Sequence, residues 1–138
     1  MSSAVECISR GYQARKEGNL PVAQEHYGEG ARLHRESGDL LAYAHAIRHI
    51  ADMYQDEKDF GAARSLYEEA LEIYRSNLHT KLLDLANTVR PYALLNEEQG
   101  NLGLALDLWT EARSLYGSLR IGEGVSECAT HVARLKQA

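Results

Sequence analysis

The chain has 138 residues, 44% of them apolar and 25% charged, with 2 Pro and a single Phe. That is enough length for one domain with a real core, and the dominance of Ala, Leu, Glu and Arg argues for an all-α fold over a large sheet. A net charge of -5 without a basic stripe excludes an electrostatic nucleic-acid binder, and no apolar run approaches the ~18 residues of a membrane span.

Helical pairs follow one another along the chain, expected over about 4–36, 39–76 and 80–118, in a single domain over 1–138. The first pair opens with a weak apolar face of Ala4, Cys7, Ile8, Gly11 and Ala14. Gly18-Asn19 then ends one helix and caps the next, since Gly adopts the left-handed C-cap conformation and Asn accepts from free N–H groups. The second helix carries Ala23, Tyr27 and Gly30 at i, i+4 and i+7, along one helical face. Gly28 interrupts it without an evident role, at a cost of about 1 kcal/mol relative to alanine, so this pair is expected to be the softest.

The second pair repeats that logic. Leu41, Ala44, Ile47, Ile50, Ala51 and Tyr54 line its first helix, Lys58-Asp59 makes the turn, and Ala63, Tyr67 and Ala70 line the second. In the third pair Leu82 or Leu83, Ala86, Val89, Tyr92 and Ala93 precede a Gly100-Asn101 turn and Ala105, Trp109 and Ala112. Pro91 lacks a backbone donor and opposes the Asn87 carbonyl, which predicts a kink or a broken turn. Ala23 and Ala63 are 40 residues apart and Ala63 and Ala105 are 42 apart, with aromatic and small residues in register. Residues about 122–137 then form one more helix, with Val125, Cys128 or Ala129, Val132 and Leu135 on one face, read as the cap that seals a repeat array.

Small-xxx-aromatic-xx-small segments, introduced by Gly-Asn-Leu in two cases and Lys-Asp-Phe in the other, and preceded twelve residues earlier by Gly11, Ala51 or Ala93, resemble the tetratricopeptide repeat. The resemblance implies a right-handed α-α superhelix of three helix-turn-helix repeats plus a capping helix. Spacings of 40 and 42 exceed the usual length of about 34 and are similar to the extended repeats of kinesin light chains and Leu-Gly-Asn-type spindle scaffolds. The family's early aromatic is replaced by Cys7, Ile47 and Val89, and its closing proline is missing. Chaperone-binding members carry an Asn where this chain has Tyr12 and Asp52, so their carboxylate clamp is absent.

In the family, first helices line a concave groove that holds a partner. Stepping by the repeat places His45 with Asn87, Arg48 with Arg90 and Asp52 with Leu94, and Tyr12 enters from the first pair. Tyr12, His45, Arg48, Asp52, Asn87 and Arg90 are therefore the candidate partner-binding residues. Two guanidinium forks suit a carboxylate or an acidic peptide side chain, and an Asn suits a peptide backbone. The competing reading pairs Arg48 with Asp52, and Arg90 with Asp84, Glu97 or Glu98, on neighbouring turns.

Catalysis finds little support. His45 and His49 at i, i+4 make half a metal site, with no HExxH motif and no third ligand, so neither metal nor cofactor is expected. Cys128 and His131 share a helix but lack an orienting third group. No phosphate-binding glycine loop is present. Cys7 and Cys128 form no CxxC pair and read as buried thiols in a reducing compartment. Residues 1–6 show no leader, so a cytoplasmic location follows. The expected function is a protein-interaction module that binds a peptide or protein segment. The alternatives are a homo-oligomeric self-assembly unit and a regulatory domain of a larger system.

Overall fold

The computed structural model describes residues 3–137. Met1 and Ser2, used above against a leader, and Ala138, the last residue of the expected domain, lie outside the described residues. Among the described residues there are seven α-helices: α1 (Ala4–Lys16), α2 (Leu20–Glu36), α3 (Leu40–Asp56), α4 (Phe60–Ser76), α5 (Leu82–Glu98), α6 (Leu102–Ser118) and α7 (Gly122–Lys136). The all-α class follows the composition. The chain divides into two compact units, the first ending at Asn77 and the second beginning at Leu78.

One turn design is used repeatedly. After α1 the N–H of Gly18 donates to the carbonyl of Arg15 and that of Asn19 to Ala14. This double bond pattern is the Schellman motif, and it requires a left-handed residue just past the helix. Gly38, Lys58, Gly100 and Arg120 occupy the same place after α2, α3, α5 and α6, all at positive φ. Asn19, Asp39 and Asp59 then accept from the N–H groups of Val22, Ala42 and Ala62 and so cap the next helix. Helix α4 ends differently: Asn77 is extended, and the two units meet in sequence at this break.

Small residues set how closely the helices pack. Ala23, Ala63 and Ala105 are fully buried beside Tyr27, Tyr67 and Trp109. A Cβ on Gly11 would stand 2.8 Å from the Tyr27 ring, and one on Gly30 would stand 2.6 Å from Ile8. In the second unit a Cβ on Gly124 would come within 2.5 Å of the Tyr116 ring. Those glycines admit the neighbouring side chain; Gly28 meets nothing and has no such role. Helix α5 runs unbroken through Pro91, so the broken turn expected there does not occur. Just before it the buried Thr88 hydroxyl donates to the Asp84 carbonyl, and just after it Asn96 donates to Tyr92.

Candidate functional site

The first unit brings Tyr12, His45, Arg48 and Asp52 into two kinds of surroundings. Arg48 and Asp52 lie four residues apart on α3, where their side chains meet at 2.8 Å and are only 15% and 16% exposed. The Tyr67 hydroxyl of α4 donates to the other Asp52 oxygen at 2.5 Å. Burial and the Asp52 carboxylate push the Tyr67 phenol well above the ordinary tyrosine range, which keeps it a donor. Both carboxylate oxygens are thus engaged, and Arg48 is paired with Asp52 through Nη1, as the competing reading above has it.

His45 and His49 sit one turn apart with their Nε2 atoms 3.4 Å from each other. His49 stacks on the buried ring of Tyr27 from α2, centroids 5.2 Å apart. Burial, reinforced by the charges of Arg48, His45 and Arg15, lowers the His49 pKa to about 3. It is a neutral packing group at pH 7. Among the described residues no three His, Cys, Asp or Glu side chains gather as a metal site. Tyr12 is 54% exposed, and Lys16 reaches over its ring at 5.4 Å. Arg15 of α1 reaches Asp56 of α3 at 3.3 Å.

Asn87 and Arg90 share a cleft of about 490 Å³ in the second unit, with Leu83, Tyr116, Glu123 and Glu127 among its walls. Arg90 is gripped from α7, its Nε donating to Glu127 Oε1 at 2.5 Å and Nη2 to Oε2 at 2.7 Å. The paired hydrogen bonds raise the arginine pKa and lower that of the glutamate, so each holds the other charged. The partner is therefore Glu127, one helix pair further on, and not Asp84, Glu97 or Glu98. The Tyr116 hydroxyl donates to Asn87 Oδ1 at 2.7 Å, and Gly124 leaves room for the Tyr116 ring. With those bonds made, the Asn87 amide NH2 and the Arg90 Nη1 have no protein acceptor among the described residues.

Glu97, on α5, forms a second tie to α7. It accepts from Trp109 Nε1 and from His131 Nδ1, both at 2.9 Å, and pairs with Arg134. The His131 ring lies parallel to Trp109 at 3.9 Å. Cys128 is buried, and desolvation together with Glu127 pushes its thiol up to about 11. That is the opposite of the lowered pKa that activates a cysteine nucleophile.

Sequence reasoning missed Tyr116, Glu123 and Glu127, because it sought partners for the arginines only within one helix. A usable signal existed: Arg15–Asp56 and Arg90–Glu127 are 41 and 37 residues apart, near the repeat length, and each joins one first helix to the next.

Among the described residues no helix is long and apolar enough to cross a membrane. No curated protein sequence matches this chain. A solved structure to which it is similar is the N-terminal domain of stress-induced protein-1 (STI-1) from C. elegans. The two share 20% identity over 93% of each chain, with a TM-score of 0.71. That likeness establishes the helical-repeat fold. The tetratricopeptide repeat family model matches residues 5–76, just over half of the chain. With the small-aromatic-small register of its helices, this match makes the chain a member of the tetratricopeptide repeat family.

Proposed function

We propose that the chain is a protein-interaction module that holds a segment of a partner protein against the first helices of its repeats. Members of this family generally bind proteins, and the observation that carries the reading here is the second-unit cleft. The Asn87 amide NH2 and the Arg90 Nη1 face it with no acceptor among the described residues, beside the exposed Leu83. Donors next to an apolar wall suit a peptide, which offers backbone carbonyls and side chains together. In the first unit, taken by itself, the exposed Tyr12 ring and His45 offer a candidate contact surface. Arg48 and Asp52 join it only where a ligand opens their ion pair. The reading involves no catalytic step and no cofactor. Two buried free thiols, Cys7 and Cys128, fit the reducing cytoplasm.

The test is affinity capture from lysate with wild type and the Leu83→Glu/Asn87→Ala variant, read by mass spectrometry. A protein captured by wild type and lost by a variant of unchanged circular dichroism supports the cleft. Equal capture by both moves the site elsewhere. Self-assembly is a second reading, supported by the exposed side chains of Leu78, Leu82, Leu102 and Leu104. A concentration-independent monomer mass in light scattering would remove it.

A further inference from the structure

The sequence suggested an acidic ligand for the arginines; the cleft favours the opposite charge. Resting on the reading that the second-unit cleft binds a peptide, we infer that its ligand is an extended segment in which an apolar residue is flanked by Lys or Arg. Three observations carry this. Arg90 is already neutralised by the bidentate grip of Glu127, so its charge is not available to a ligand carboxylate. Glu123 lies exposed on the same wall with no protein partner among the described residues, which leaves the lining with one uncompensated negative charge. An acidic ligand side chain would meet the uncompensated charge of Glu123, and like charges brought into one cleft repel.

The donors that remain select neutral acceptors. The Asn87 amide is held by the Tyr116 hydroxyl on its oxygen side, so its NH2 is the free end. Arg90 keeps Nη1. Both are met by backbone carbonyls of an extended chain, which bring no charge with them. Leu83 and Ile121 supply apolar surface in the same cleft for one Leu, Ile, Val or Met side chain. A cationic residue beside that side chain then reaches Glu123. The recognised pattern is carbonyls on the donors, an apolar side chain on Leu83 and Ile121, and an ammonium or guanidinium on Glu123.

The experiment is selection of a random-peptide display library on the immobilised full chain. The enriched peptides are then measured by fluorescence anisotropy against wild type, Asn87→Ala, Glu123→Gln and Glu123→Lys. Because Glu123 is exposed and unpaired, its variants keep the fold, which circular dichroism checks. Enriched peptides should carry Lys or Arg within two residues of an apolar residue. Their affinity should fall about threefold in Glu123→Gln and about tenfold in Glu123→Lys, and should weaken with added salt. Acidic or uncharged peptides that bind Glu123→Lys as well as wild type, yet are lost by Asn87→Ala, would overturn the charge preference and leave the cleft as the binding site. Failure to enrich any peptide above a control protein, or peptides indifferent to Asn87→Ala and Glu123→Lys alike, would overturn both.

Discussion

Arg48 in the first unit and Arg90 in the second occupy the same place in their repeats, 42 residues apart, and meet opposite fates. Arg48 is folded back onto its own helix and almost buried. Arg90 crosses to another helix and stays 42% exposed, with Glu127 36% exposed. The difference traces to the position four residues on, Asp52 in one repeat and Leu94 in the other. An acidic residue one turn away captures an arginine at little cost in chain entropy. Where that residue is leucine, the guanidinium takes a partner from the next repeat and its pair becomes part of a cleft wall. A cleft lined by leftover donors thus arises where a repeat does not satisfy its own polar groups.

The largest way to break the comparison is Asp52→Ala. It leaves the mostly buried Arg48 without its carboxylate and the Tyr67 hydroxyl without its acceptor, and should destabilise the first unit by about 3 kcal/mol in urea unfolding. Glu127→Gln, on the exposed pair, should cost under about 1 kcal/mol in the same assay.

Acid should single out the first unit next. His49 has a folded pKa of about 3 against an ordinary value of 6.5, so below pH 6.5 the unfolded chain binds a proton that the folded unit refuses. The stability tied to His49 is complete above pH 6.5 and is lost as pH falls from there toward 3. The loss reaches about 2 kcal/mol by pH 5, and His49→Gln removes that slope from hydrogen-exchange measurements on α3.

Gly28→Ala sharpens the contrast from the other side. It should stabilise the first unit by about 1 kcal/mol in thermal melts, because a Cβ there meets nothing, whereas Gly30→Ala crowds Ile8 and brings no such gain. The smallest effect tests the explanation itself. Leu94→Asp gives the second unit the arrangement of the first, and the Arg90–Glu127 coupling in a double-mutant cycle should fall from under about 1 kcal/mol to near zero.

Much of the helical organisation is legible in the sequence alone. Ala23, Ala63 and Ala105, their aromatics four residues on and the Gly-Asn or Lys-Asp turns mark helices and turns, because a 3.6-residue period and a left-handed cap are local demands. The candidate site was legible only in part. Asn87 and Arg90 do share a cleft, but Tyr116 and Glu123, which orient and charge it, belong to other helices and have no local spacing that announces them.

By itself the sequence determined the helices, their turns and the membership in a repeat family, since backbone hydrogen bonding and amphipathic periodicity act over a few residues. Only the tertiary structure decided which polar groups were consumed and which were left over. Whether Arg90 is free for an acid or already held by Glu127 depends on two side chains 37 residues apart meeting at 2.5 Å. No local rule contains that distance, because helix packing creates it and desolvation sets its worth.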